Sequence, residues 1–276
     1  YMQKRENMNL KKIALGVVAL TSIVTLAACG SSSSKDSLAK IKDKGTLTVA
    51  LSPDYAPFEF QMLKDGKNEI VGSDVDLAKE IGKALGVKVN IQAMDFNNVL
   101  ASVTSGKADI AISGISSDPD RAKAYDFSYS YYTANNVIVV KKEHQDKFAT
   151  IADFKGKKVA AQKGSVQEKV ATEQVKDASL VSLIKTGQAI NELKNGTVEG
   201  VVLEEPIGKS YIAANSDLAL SDVKLDSSDT DSYCVAMPKK SDKLKKEIDA
   251  VIKKLKAKDA INKSVEKNFE LAQAAK

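Results

Sequence analysis

Apolar positions along this chain recur with two periods, and each period marks a type of element. Thr46 to Ala50 ("TLTVA") and Val87 to Ala93 read as strands, and Ile110 to Ser113 as a third. Between the first two, Val75, Ala78, Ile81 and Leu85 share one face of a helix over 74–85, which Gly86 ends. Asp95 is placed to cap a short helix through Val99, Leu100 and Val103 that stops near Gly106. The rhythm restarts after "NNVIVVKK". A strand at 158–161 leads to a helix opened by the capping-box spacing of Ser165 and Glu168 and reaching about Val175. A strand at 181–183, a helix over 188–193, a strand at 200–203 and a helix from about Pro206 repeat the pattern. "DSYCVAMPKK" gives a last strand ending at Pro238, followed by lysine-rich helical segments.

Strands alternating with helices predict an α/β fold with a largely parallel sheet. The two sets share a rhythm but no sequence repeat. The economical assembly is two lobes, 45–137 plus 235–276 and 138–234, with the final helices packed back on the first. Two extended hinge segments, 135–141 and 232–237, join them. Ligands of open α/β sheets sit beyond the carboxyl ends of the strands, so facing lobes make a cleft there.

The first 28 residues stand apart. Lys11 and Lys12 precede an apolar run, Ile13 to Thr25, that is too short to span a bilayer comfortably and has the form of a signal peptide. Met8 gives the most compact version, with residues 1–7 as an upstream extension. Leu26-Ala27-Ala28-Cys29 then resembles a bacterial lipobox, so Cys29 is expected to carry lipid. Residues 29–44, opening "CGSSSSKDS", are expected to serve as lipidated N-terminus and spacer.

Removing 1–28 takes away four basic side chains and one acidic one, so the formal charge of +5 falls to +2. That is no electrostatic footprint for nucleic acid. The lysines from 239 to 258 read as the solvated face of C-terminal helices. With Cys29 lipidated, Cys234 is alone and no intrachain disulfide is possible; its setting in "SYCVAM" is that of a small buried hydrophobe. The single histidine, His144 in "KKEHQDK", speaks against a histidine triad or a multi-histidine metal site. No metal and no cofactor are expected.

One stretch carries candidate chemistry. In "SGISSDPDR", residues 113–121, Asp118 suits a helix N-cap and Pro119 the first helical position. Such an end offers unpaired N–H groups and partial positive charge, hence either a capped helix with a solvated arginine or an anion site.

Together with "DYAPFEF", "IVGSDVDLAKEIGKALG", "MDF" and "GVVLEEP", this stretch resembles the polar amino-acid binding proteins of ABC importers, over about residues 45–270. The resemblance implies a two-lobed, periplasmic-binding-protein-like (type II) fold with two hinge crossovers. It implies a monomer that closes on one free amino acid and delivers it to a membrane permease driven by an ATPase. A lipid anchor on the extracellular face of the cell membrane resembles the arrangement in Gram-positive bacteria. By the same resemblance, Arg121 forks onto the ligand carboxylate, with donors from Gly114, Ser116 and Ser165. Glu204 holds the ammonium where the family has Asp, with Glu205 as the alternate. Tyr55 and Phe96 cover the ligand side chain, while Phe58 and Phe60 belong to the core.

Relatives that prefer cationic amino acids often carry Asp where this chain has Ser52. With Gln162 as a hydrogen-bonding partner, a glutamine- or asparagine-like ligand is expected, and arginine next. Asp54 would restore a negative charge if it points inward. A small-carboxylate dehydratase on the same scaffold, with Glu204 as its acid or base, and an amino-acid-sensing lipoprotein are the rival readings.

Overall fold

The computed structural model describes residues 36–228 and 231–274; the signal, lipobox and Cys29 expectations lie outside them. It opens with helix α1 (Ser37–Lys44), where a spacer was expected. The Asp36 side chain caps α1, Gly45 at φ +69° ends it, and Ile41 anchors it in the core, so the helix is a packed part of the body.

Strands β1 (Thr46–Leu51), β2 (Asp54–Tyr55), β3 (Glu59–Lys64) and β4 (Lys67–Val71) follow, then α2 (Ser73–Leu85), β5 (Lys88–Ala93), α3 (Phe96–Thr104) and β6 (Ile110–Ala111). Next come α4 (Pro119–Ala124), β7 (Tyr125–Phe127) and β8 (Asn136–Lys141). The second set runs β9 (Lys158–Gln162), α5 (Val166–Gln174), β10 (Ser179–Leu183), α6 (Thr186–Asn195), β11 (Gly200–Glu204), α7 (Glu205–Ala214) and β12 (Leu218–Leu220). The chain ends with β13 (Ala236–Pro238), α8 (Asp242–Ala257) and α9 (Ala260–Ala274).

Two five-stranded sheets result, ordered β5-β1-β6-β13-β7 and β10-β9-β11-β8-β12. Each has a parallel part and an antiparallel part. β13 runs antiparallel to β6 and β7, and β8 runs antiparallel to β11 and β12. The sheets are therefore mixed rather than largely parallel. A third, three-stranded sheet, β2-β3-β4, carries the turn geometry of a hairpin: Asp65 and Gly66 both have positive φ.

The chain crosses between the large sheets twice, and the crossings pair with each other. Tyr131 N–H donates to Tyr233 O and Tyr233 N–H to Tyr132 O, both at 2.8 Å, and the Thr133 and Ser232 hydroxyls meet at 2.9 Å. The hinge is thus a short two-stranded ribbon. Of the expected segments, 135–141 is corrected, because Asn136–Lys141 is strand β8 of the second sheet, and 232–237 is trimmed where β13 begins at Ala236. The final helices also differ from expectation. α8 packs on α1 and α2, whereas α9 touches both α2 and α7, and Gln273 Nε2 reaches Ser210 O at 3.4 Å. α9 therefore adds a further contact between the halves.

Local sequence explains the elements that position the site. In α2 the N-cap is Gly72 at φ +134°, and a Cβ there would lie 2.0 Å from Phe58 O, so only glycine fits. α4 begins as anticipated: Asp118 Oδ1 accepts from the N–H groups of Asp120 and Arg121, with Pro119 at the first turn. Asp95 precedes α3 but makes no side-chain cap bond.

Candidate functional site

A narrow cavity lies between the carboxyl ends of the parallel strands of both sheets, where β1, β6, β9 and β11 give out to Ser52, Ser113, Gln162 and Glu204. All eight residues singled out for binding, Tyr55, Phe96, Gly114, Ser116, Arg121, Gln162, Ser165 and Glu204, line this one cavity.

Arg121 sits at its centre of charge. The side chain is 12% exposed; Nε faces Asp118 Oδ2 at 3.2 Å, Nη1 donates to Ser116 O at 2.9 Å and Nη2 to Gly164 O at 2.9 Å. The ion pair with Asp118 exists, but inside the cleft wall rather than on an open surface. A guanidinium has five N–H donors, so one remains on each terminal nitrogen. Two parallel donors are what a carboxylate accepts. The Phe96 ring lies 5.9 Å from Arg121 Cζ, in cation–π range.

Four expected donors already have partners within the protein. Gly114 N–H is taken by Asp74 Oδ2 at 2.9 Å, so this residue can offer the cavity only its carbonyl. Ser165 Oγ donates to Gln162 O at 2.6 Å and accepts from Glu168 N–H, which makes it a cap. The helix end it builds remains useful. Val166 and Gln167, the first residues of α5, also line the cavity, and their N–H groups belong to an N-terminus that favours anions. Ser116 Oγ donates to Asp231 O at 3.2 Å. Gln162 Nε2 is turned to Ile184 O at 3.3 Å.

Three carboxylates line the cavity: Asp54, Glu59 and Glu204. Burial raises Asp54, although it accepts from Thr186 N–H at 2.9 Å and from Ser52 Oγ at 3.1 Å. Burial pushes Glu204 up to about 8; the nearby Tyr233 hydroxyl opposes this only in part, and Glu204 Oε2 lacks a hydrogen bond of good geometry. Glu59 is raised well above the carboxylate range, first by burial and then by the charge of Asp74. Its Oε1 accepts from Ser113 Oγ at 2.6 Å. Asp74, up to about 6 through burial, accepts from Gly114 N–H and Tyr131 Oη, both at 2.9 Å. The Asp74 charge raises Glu59, and each of the two acids keeps one buried oxygen without a donor.

Glu59 and Asp74 were not anticipated. The signal available was a charged residue between Phe58 and Phe60 in an apolar run, and two acids at the start of α2. Both also fit a hairpin and a helix dipole, so neither points to a site without the fold. Glu205, the alternate for the ammonium, pairs instead with Lys209 at 2.6 Å and does not line the cavity.

The halves meet around the cavity. Besides Arg121 on Gly164, Asp54 accepts the first N–H of α6, and Lys169 Nζ on α5 reaches Asp118 Oδ1 and Asp120 Oδ2 on the α4 side, each at 3.3 Å. Gly114 fits tightly here. At φ +54° an added Cβ would lie 3.3 Å from the Tyr55 ring and 3.4 Å from Tyr233. Gly114→Ala is therefore expected to destabilise the protein by about 1–2 kcal/mol from the left-handed backbone alone, read by thermal denaturation; an unchanged midpoint would mean that the loop relaxes freely.

Comparison with known proteins follows this geometry. The chain is 36% identical over 216 residues to the arginine-binding extracellular protein of Bacillus subtilis, covering 76% of this chain and 79% of that one. Among solved structures, it resembles an amino acid ABC transporter substrate-binding protein of Streptococcus pneumoniae bound to L-arginine. That match has a TM-score of 0.83 and 49% identity, covering 86% of this chain and 100% of the other. It also resembles an ancestral amino acid-binding protein, a precursor of cyclohexadienyl dehydratase, with a TM-score of 0.75 and 30% identity, covering 85% of this chain and 100% of that one. Residues 47–271 match the family profile, and the chain belongs to the bacterial extracellular solute-binding proteins, family 3.

Proposed function

We propose that this chain is the capture component of an ABC importer for a free cationic amino acid, with L-arginine as its ligand. The observation that carries the choice is the acidic lining of the cavity, where Asp54 stands in addition to the Arg121 and Glu204 that a zwitterion needs. A zwitterion with a neutral side chain uses Arg121 and Glu204 and leaves Asp54 without a cation in the cavity, while burial and Asp74 keep Glu59 protonated. An arginine side chain supplies the missing cation. The arginine-bound neighbour and the arginine-binding relative support the same choice. The preference for a glutamine-like ligand rested on Ser52 in place of Asp; Asp54, which does border the cavity, takes over that charge.

In this reading the ligand carboxylate meets the two spare N–H groups of Arg121 and the amides opening α5. Its ammonium meets Glu204 and the Gly114 carbonyl, and Tyr55 and Phe96 cover the aliphatic stem. Arg121 comes from one half and Glu204 from the other, so the ligand satisfies both only when the halves close. Its greater affinity for the closed form drives closure. A micromolar site needs only about −8 kcal/mol, within reach of these contacts after ordering costs.

Calorimetric titration of arginine against citrulline, its neutral isostere, tests this. Arginine is expected to bind at least about tenfold more tightly, the value of one charge-assisted hydrogen bond. Asp54→Asn is expected to erase most of that gap while leaving citrulline binding unchanged. Equal affinities in the parent protein would return the choice to a glutamine-like ligand.

The ancestral neighbour keeps an enzymatic reading in view, since a protonated Glu204 could act as a general acid. We read the chain as a binder, and absence of turnover on prephenate-like acids is the expected result. Delivery to a permease and ATPase, and anchoring through Cys29 on the outer face of a Gram-positive membrane, complete the proposal. Among the described residues no helix is long and apolar enough to cross a membrane. Cys29→Ser is expected to release the protein into the medium, and retention on cells would refute the anchor.

A further inference from the structure

The C-terminal lysines take no part in the cavity, and their placement is not random. Between residues 239 and 267 lie eleven lysines and five acidic residues, a net +6, while the rest of the chain from residue 36 onward carries a net −5. α8 buries Leu244, Ile248 and Ile252 on one side. At helical spacing, Lys243, Lys246, Lys253 and Lys254 fall on the opposite side, with Asp242 and Glu247 as the acids among them. Lys246, Lys253 and Lys254 have no acidic partner among the described residues. Lys246 and Lys253 border the same surface hollow as Tyr129, which is 60% exposed and has Lys245 Nζ 4.7 Å from its ring centre.

A second observation concerns where the chain enters the body. Asp36 is held to this same helix, its Oδ2 accepting from Lys243 Nζ at 2.8 Å, and Ser37 Oγ meets Ser241 Oγ at 2.8 Å. Seven peptide steps separate Asp36 from Cys29. Even fully extended, such a chain spans only about 25 Å at 3.3–3.6 Å per residue. A chain anchored at Cys29 holds this face within about that distance of the bilayer.

We propose that the lysine face of α8, with Tyr129 at its edge, is a docking surface for an anionic phospholipid bilayer, orienting the body on its anchor. Lysines near an anionic leaflet are attracted within a Debye length, and tyrosine suits the interface. A single lipid chain binds membranes only marginally, so a basic patch supplies the second signal. The inference rests on membrane attachment at the N-terminal end, not on the ligand. No residue lining the cavity belongs to α8, so docking leaves capture free.

Lysine acetylation, read by mass spectrometry on the full chain bound to vesicles, tests this. On phosphatidylcholine mixed with phosphatidylglycerol, Lys246, Lys253 and Lys254 are expected to react about threefold or more slowly than on phosphatidylcholine alone, and to recover at high salt. Lys157 and Lys158 on the other half serve as the unchanged reference. In the Lys246→Glu, Lys253→Glu, Lys254→Glu triple variant, Lys243, which shares that face and is slowed in the same way in the parent, is expected to lose its protection, with arginine binding unaltered. Equal rates on both vesicle types, protection that persists in high salt, or a triple variant as protected as its parent would each overturn the proposal.

Discussion

Arg121→Ala is expected to abolish amino-acid binding in a protein that still folds. Among the described residues, the guanidinium is the only positive side chain that lines the cavity. Removing one member of a buried charge pair costs about 2–5 kcal/mol, or roughly thirtyfold to several thousandfold in affinity. The Gly164 contact across the cleft goes with it, so closure weakens as well. Its other partners are Asp118 and Ser116 O, and Asp118 keeps its cap bonds to the α4 backbone and to Lys169. Arg121→Lys separates charge from geometry: it keeps the cation but loses the planar fork, and an intermediate loss is expected. Unchanged calorimetric affinity in Arg121→Ala would remove the carboxylate assignment.

The second large effect belongs to Glu204. Burial raises its pKa to about 8 against an ordinary 4.5, so it is mostly protonated at neutral pH. A group that binds its proton more tightly when folded stabilises that form below the unfolded pKa, and the stabilisation is lost as pH rises. The ligand-free closed protein is therefore expected to lose stability between about pH 4.5 and 8, with Glu59 and Asp74 acting in the same direction. An arriving ammonium reverses this for Glu204 by favouring its anion. Affinity is then expected to rise with pH over that interval, with release of protons on binding. Titrations in buffers of different ionisation heat measure that release. Glu204→Gln copies the protonated state and should spare the fold. It is expected to weaken binding by about 2–4 kcal/mol and to remove the Glu204 share of proton release, leaving the share of Glu59 and Asp74. If Glu205→Gln has the larger effect, the ammonium site has been placed one residue early.

Much of this was legible before any coordinates. The periodicity of "DVDLAKEIGKAL" with Gly86 behind it can only be an amphipathic helix, and Asp118-Pro119 spells out a helix start. The three-stranded sheet over 54–71 was equally written, in the Asp65-Gly66 turn between Met62 and Ile70, but short strands with exposed faces carry a weak apolar signal. Mixed sheets could not be read, because a strand's direction depends on where its neighbours return. The same holds within the site. Arg121, Tyr55 and Glu204 lie in local motifs and could be named. Glu59 becomes a site residue only because Asp74, Ser113 and Tyr131 arrive from other elements to bury it. Gly114 illustrates the limit from the other side: its position was legible, but the partner of its N–H was not, since Asp74 lies 40 residues away.

The account stands on a single arrangement of a bound ligand, and a crystal structure with L-arginine tests it most directly. The expected result is one arginine in the cavity, its carboxylate on Arg121 and the first amides of α5, its ammonium on Glu204, and its guanidinium beside Asp54 and Glu59. An arginine bound the other way round, with its guanidinium on Glu204, or an empty cavity at saturating arginine, would contradict it.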